Sequence, residues 1–438
     1  MLRLPLEIQL RILHLATHVP GLLEITPDPS SKPFEEEDAL EALIKSFRES
    51  LKLRLALPLV SRELNALGTP ILYECVHLYQ TTPIADALAT FTSSTFKPAM
   101  VRHVIIDVSP SQPEEDLAAL IGLLSRVRIL SVMVHRPAGF TEPPFYDSDL
   151  LINAMARALA PTLRRLVLSC YTLILVTPST WTKFTKELVH LETLVSFAQN
   201  PGRHGEYHSY PIRFPDALPH LKTLQLVDTN MVRVGQGYTP THLQCHLWSM
   251  RPYNLDALTH LDVHVSEVVG DFSLPVFDFG TNEPMFSAGV YPTLHETAPL
   301  LVSLALSGIT EHVTCPLTLY TFPPTVEHLR FPSMRRGEEN HGDDMFLDIY
   351  TKDWTAAEGQ AWVDALVRLP ASVRTVTVGA AGWMSQFLEW VDAGEVNADA
   401  LLGCDFVLED EEGEPLLEPA ESTAAEEIIS VVLSSRSE

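Results

Sequence analysis

From residue 100 onward one short pattern recurs: an apolar residue, two open positions, an apolar residue, one open position, an apolar residue. It reads Val101/Val104/Ile106, Val127/Leu130/Val132, Leu163/Leu166/Leu168 and Leu221/Leu224/Leu226, and then Leu258/Leu261/Val263, Leu301/Leu304/Leu306, Val326/Leu329/Phe331 and Val373/Val376/Val378. Leu191/Leu194 is a weaker copy. Successive side chains leave a strand on opposite sides, so the alternation closing each copy predicts a short strand with one buried face. Helical stretches closed by proline precede several copies, as Asp149–Ala160 does before Pro161 and Thr355–Leu369 before Pro370.

A helix then a strand, repeated with variable spacing, predicts an α/β solenoid of the leucine-rich-repeat kind, with parallel strands and outer helices. Regular repeats place Asn or Cys three residues beyond the last leucine. This chain has Tyr171, Thr229, Ser266 and Ile309 there, so the expected array is an irregular horseshoe. Residues 271–299 and 334–344 read as insertions. An ordinary α/β domain whose strands share the pattern is the other architecture compatible with it.

The alternation also says which side chains face away from the core. They are His103, Asp107, Arg165, Thr223, Gln225, His260, Asp262, His264, Ser303, His328, Arg330, Thr375 and Thr377. A polar row with several histidines suits a protein surface as ligand better than a greasy small molecule. It also fits the plain solvent-facing half of the strands.

Ahead of the array the pattern changes. Pro5 suits the first position of a helix, and Ile8, Ile12 and Leu15 follow at helical spacing, with Leu6, Leu10 and Leu13 widening the stripe. Pro20-Gly21 is expected to end this helix, and residues 22–38, with the run Glu35-Glu36-Glu37-Asp38, to form a solvated loop. Short helices are expected over Ala39–Phe47, Leu51–Leu57 and Ser61–Leu67, the last stopping at Gly68. So few short helices cannot cover this much leucine among themselves. They either serve a partner or cap the array.

Four pieces stand here in order: Leu4-Pro5-Leu6-Glu7-Ile8, Ile12-Leu13, Val60-Ser61-Arg62, and Pro70-Ile71-Leu72-Tyr73-Glu74-Cys75-Val76. This order resembles an F-box, the helical module of ubiquitin-ligase substrate receptors. The resemblance implies a substrate-receptor subunit of a Skp–cullin–F-box ligase. Leu4, Pro5, Ile8, Ile12, Leu13 and Val60 would meet a Skp-type adaptor, and through it a cullin scaffold, while the repeats would hold a protein substrate. The implied fold class combines α+β and α/β, in three parts. A small all-helical F-box-like module spans 1–80, an irregular leucine-rich-repeat-like α/β solenoid 81–404, and an acidic flexible tail 405–438.

Composition narrows the function classes. Lys and Arg number 30 against 56 Asp and Glu, a net charge of −26, which disfavours nucleic acid and anionic membranes as partners. The five cysteines are spread without a CxxC pair, so neither a disulfide framework nor a zinc signature is present. The start is no signal peptide and no apolar run reaches membrane length, which gives the expectation of an intracellular protein, cytoplasmic or nuclear. Hydrolase, phosphate-loop and metalloprotease signatures are missing, so no enzyme and no cofactor is expected. His242-Leu243-Gln244-Cys245-His246 offers ligand types at helical spacing without a second cluster to complete a metal site.

Overall fold

In the computed structural model the described residues are 5–26, 36–79, 82–94, 96–108, 114–134, 149–169, 177–197, 212–213, 218–227, 232–233, 239–246, 255–264, 298–307, 322–331, 355–378, 382–410 and 415–416. The chain divides into two compact units, Met1–Ala257 and Leu258–Glu438.

The first unit begins with three helices, α1 (Leu6–Thr17), α2 (Glu36–Val60) and α3 (Arg62–Tyr73). Strands and helices then alternate: β1 (Cys75–Leu78), α4 (Ile84–Thr92), α5 (Lys97–Met100), β2 (His103–Val108), α6 (Glu114–Leu123), β3 (Ile129–Val134), α7 (Asp149–Ala158), β4 (Arg165–Ser169), α8 (Pro178–Glu187) and β5 (Thr193–Phe197). The strands β6 (Ile212–Arg213), β7 (Thr223–Val227), β8 (Val232–Arg233) and β9 (His242–His246) complete it. Strands β1, β2, β3, β4, β5, β7 and β9 lie side by side, each pairing in parallel with the one before. β6 and β8 pair apart from them, Ile212 against Val232.

The second unit has β10 (His260–His264), β11 (Ser303–Ser307), β12 (His328–Phe331), α9 (Ala356–Leu366), β13 (Thr375–Val378), α10 (Gly382–Asp392), α11 (Asp399–Leu402) and β14 (Val407–Glu409). Its strands are also parallel and sequential. Each unit is therefore an α/β array in which every strand contacts its neighbours in sequence, as in a solenoid. Every copy of the recurring pattern supplies one strand, and its apolar positions are the core: Val104, Leu130, Leu166, Leu194 and Leu224 are fully buried, as are Leu304, Leu329 and Val376.

Several details differ from the expectations. β1, β9 and β14 add strands that the pattern did not mark. Val407–Glu409 pairs with β13, and Thr377 Oγ1 donates to Glu409 Oε1 at 2.8 Å, so the chain is ordered past 405. His242–His246 is a strand with Leu243 buried, so His242 and His246 are not brought together by a helical turn. α2 is one helix of 25 residues where two short ones were expected, and the acidic run Glu36-Glu37-Asp38 starts it instead of lying in the loop.

α3 likewise runs through Gly68 and Pro70 to Tyr73. Gly68 does not stop the helix because it is buried where α3 crosses α2. A Cβ there would sit 3.4 Å from Leu57 Cβ and 3.6 Å from Pro58 Cδ, ordinary contact but with no room beyond a methyl group. Ser61 caps the start, its Oγ accepting from Leu64 N at 3.1 Å, and Asn65 Nδ2 donates to Pro58 O at 3.1 Å, satisfying a carbonyl at the end of α2.

Candidate functional site

α1 carries apolar side chains on two opposite sides. At 3.6 residues per turn Leu10, Leu13 and Thr17 share one side and Ile8, Ile12 and Leu15 the other. Leu13 and Thr17 are buried, whereas Ile8 is 45%, Ile12 49% and Leu15 69% exposed. An amphipathic helix packed on a core needs one apolar stripe. The second stripe on α1 has no cover within the described residues. Leu59 and Val60, at the end of α2, are also exposed.

Of the residues expected to meet an adaptor, Leu4 lies outside the described residues. Pro5 precedes the first turn of α1 and is exposed, like Ile8, Ile12 and Val60. Leu13 is a correction. At 7% exposure it belongs to the inner side of α1 and is unavailable to a partner.

The inner side is held by Arg54, a buried cation on α2. Its Nη2 donates to Thr17 O at 2.7 Å and its Nη1 to Ile71 O at 3.0 Å, so one guanidinium bonds to carbonyls at the last turns of α1 and α3. The negative ends of two helix dipoles favour a cation there. Burial lowers the Arg54 pKa, and the charge of Glu74 opposes that shift. The guanidinium also lies 5.6 Å from the Phe47 ring centroid.

After α1 the chain turns at Gly21, whose φ of +78° suits glycine, and Gly21 N donates to Glu24 Oε1 at 3.1 Å. This sends Leu22 onto the sheet. Val19, Leu22, Ile44 and Phe47 form one core with Cys75, Ile105 and Met133 of β1, β2 and β3. The helical module is thus packed on the face of the first strands that the alternation had left open.

That packing corrects part of the expected polar row. His103 and Asp107 are buried, as is the neighbouring Ser131, and farther along the same face Thr193 and Thr223 are buried too. His103 Nδ1 lies 2.6 Å from Leu22 O and its Nε2 3.2 Å from Ser131 Oγ. A carbonyl only accepts, so Nδ1 carries the proton and Nε2 accepts from the serine. Burial, helped by the charge of Arg165, lowers the His103 pKa to about 3, against the Leu22 hydrogen bond, which favours protonation. Asp107 Oδ2 lies 3.1 Å from His77 Nε2. Arg165 is half-buried and its Nη1 donates to Glu24 O at 2.9 Å. Gln225 is half-buried.

The sequence held a signal for this cover. The outward positions of β2–β5 include Ile105, Ile129, Met133, Val167 and Val195, and strands apolar on both faces are buried on both.

In the second unit the alternation holds. His328, Arg330, Thr375 and Thr377 are half-buried between fully covered neighbours. His260 aligns with Ser303, His328 and Thr375, and Asp262 with Ala305, Arg330 and Thr377, while His264 aligns with Ser307. His328 Nδ1 lies 2.7 Å from Thr375 Oγ1, and His260 Nδ1 2.9 Å from Thr259 Oγ1. Burial lowers the His260 pKa, with the His328 charge adding to it. Ala305 is buried, a gap in the second row.

Among the described residues no group of His, Cys, Asp and Glu is placed to hold a metal ion, and no helix is long and apolar enough to cross a membrane. A groove on the outer helices, lined by Ala118, Ala119, Gly122, Leu150 and Ala154, has Glu115 and Arg157 as its charged groups.

No protein-family model matches the chain, and no curated protein matches it. Among solved structures it is similar to a chain in the crystal structure of the Rad7 and Elc1 complex in yeast, with a TM-score of 0.38 and 10% identity, over 78% of this chain and 76% of that one. So distant a likeness leaves the functional reading to the chain's own residues.

Proposed function

We propose that the protein is the substrate receptor of a Skp–cullin–F-box-type ubiquitin ligase, its helical N-terminus binding a Skp-type adaptor and its strand array a protein substrate. The observation that carries the reading is the outer stripe of α1, Ile8, Ile12 and Leu15, in a segment whose order of motifs resembles an F-box. The subunit does no bond chemistry. It acts by proximity, raising the effective concentration of a substrate lysine near the charged ubiquitin. The half-exposed row of β10–β13 is the surface on which we seat the substrate.

The core shared by Val19, Leu22, Phe47 and Ile105 favours a second reading, a repeat scaffold whose helices only cap the array. A cap accounts for the inner side of α1 and leaves the outer side unexplained. Binding of the full-length protein to a purified Skp-type adaptor separates the two. Fully burying an aliphatic side chain contributes about 1.5–3 kcal/mol, and Ile8 and Ile12 are about half exposed, so Ile8→Asp with Ile12→Asp is expected to weaken binding at least about tenfold. Thermal stability stays unchanged, because neither side chain is in the core. Wild-type protein that does not bind the adaptor, or a double variant that binds equally well, removes the receptor reading in favour of the scaffold.

A further inference from the structure

The residue just before each of β2, β3, β4, β5 and β7 carries the main-chain ladder one step beyond the sheet. Arg102 N donates to Glu74 O at 2.8 Å, Arg128 N to Arg102 O at 2.8 Å, Arg164 N to Arg128 O at 2.8 Å, Glu192 N to Arg164 O at 2.7 Å and Lys222 N to Glu192 O at 2.8 Å. These residues therefore form a row across adjacent strands, about 4.8 Å from one to the next. Side chains along it reach each other. Arg164 Nη1 is 2.8 Å from Glu192 Oε1, and Lys222 Nζ is 3.4 Å from Glu192 Oε2.

Of the acids of the row, Glu192 is shared by Arg164 and Lys222, and Glu74 makes no ion pair with Arg102 among the described residues. Arg102 and Arg128 stand next to each other, and Arg126, in the turn before β3, takes Arg102 Nη1 on its carbonyl at 3.3 Å. Among the described residues no carboxylate is in ion-pair range of Arg102, Arg126 or Arg128. Arg126 and Arg128 are exposed. Adjacent like charges repel, and this chain has 56 acidic residues with which to neutralise 30 basic ones. An unneutralised ridge of guanidinium groups on such a chain is a place made for an anion from outside.

We propose that Arg102, Arg126 and Arg128 form a docking ridge for an extended anionic peptide segment of a partner protein. Forked guanidinium hydrogen bonds would hold its carboxylate or phosphoryl groups, the geometry for which arginine is suited and lysine is not. A peptide fits better than a nucleic acid. A long polyanion feels the −26 net charge wherever it leaves the ridge, whereas a short segment feels the ridge alone, since screening limits the rest to about 8 Å at physiological salt. This proposal stands on the ladder and does not depend on the adaptor reading.

The test uses full-length protein and fluorescein-labelled peptides of one length: an Asp/Glu-rich peptide, a phosphoserine peptide, and a neutral Asn/Gln peptide. Anisotropy should show that at least one anionic peptide binds and the neutral one does not, with affinity falling as salt rises. Arg102→Glu with Arg128→Glu should weaken binding at least about tenfold, and Arg102→Lys with Arg128→Lys less than that but measurably, because the fork is lost and the charge kept. Tighter binding of the phosphoserine peptide assigns phosphoryl recognition; equal binding assigns carboxylates. The proposal is overturned if neither anionic peptide binds or if the charge reversal leaves binding unchanged. It is also overturned if an oligonucleotide of equal charge binds more tightly with the same sensitivity to the variants. An unchanged circular dichroism spectrum and melting profile exclude misfolding, and adaptor binding by the same variants reports separately on the α1 surface.

Discussion

Acid should loosen the first unit before its carboxylates titrate, and His103 sets the size of the effect. In the folded protein its pKa is lowered to about 3 by burial, with Arg165 adding to the shift, while in the unfolded chain it is ordinary, about 6.5. Between those values the unfolded state binds a proton that the folded state refuses. The contribution of His103 is therefore complete above about pH 6.5 and is lost progressively as pH falls below it. From pH 7.5 to 5.5 the loss is about 1.4 kcal/mol, one factor of ten in the folding equilibrium. A folded pKa of 4 would give the same figure, since both values lie well below 5.5. Exchange of the Arg102, His103 and Ile129 amides, which bond along the β1–β3 ladder, reports on this unit by itself. The opening free energy should fall by that amount in the wild type and much less in His103→Gln, which stays uncharged at both pH values. Equal slopes in the two proteins refute the buried, neutral assignment.

Two further perturbations follow from the packing. Arg54→Leu removes the donor that joins the ends of α1 and α3, and with hydrogen bonds to charged groups each contributing about 1.5–3 kcal/mol, urea denaturation should show a loss of about 3 kcal/mol or more. Gly68→Ala and Gly359→Ala should differ in sign although both lie inside helices. The first places a methyl group in ordinary contact and should gain up to about 1 kcal/mol of helix propensity. The second sets Cβ 3.1 Å from Trp390 Cε3 and 3.2 Å from Val396 Cγ2, and should cost about 1 kcal/mol or more, read from thermal melts of each variant.

The repeating strands were legible because a period of two with leucine, valine and isoleucine on one side has few other solutions. Leu130, Leu166 and Leu329 are where the pattern puts them. What the pattern could not supply was the use of the other side. His103 looks like an open polar position until Leu22, far away in sequence, is seated against it, a long-range contact that local periodicity does not encode. The apolar Ile105 and Met133 on the same face were the hint. Gly68 misled for a related reason. A glycine in a helical stretch stops the helix when solvent surrounds it, but here a second helix lies against it, and tertiary packing outweighs the propensity. On α1 the residues expected to face an adaptor fall on two sides, since Ile12 is exposed and the adjacent Leu13 is buried, a division that their order along the chain does not show.

The core that joins Leu22 and Phe47 to Ile105 and Met133 makes the first unit a fixed bracket rather than two parts on a hinge. The exposed stripe of α1 keeps one bearing relative to the strands β1–β3, since swinging it would open that core and break the bonds of Leu22 O to His103 and Glu24 O to Arg165. Whatever sits on α1 is thereby held at a set distance and angle from whatever sits on the arginine ridge. Under the proposed receptor function, that constancy is the quantity that matters. There, changes to residues 18–26 would alter the spacing between the α1 stripe and the ridge without touching either surface.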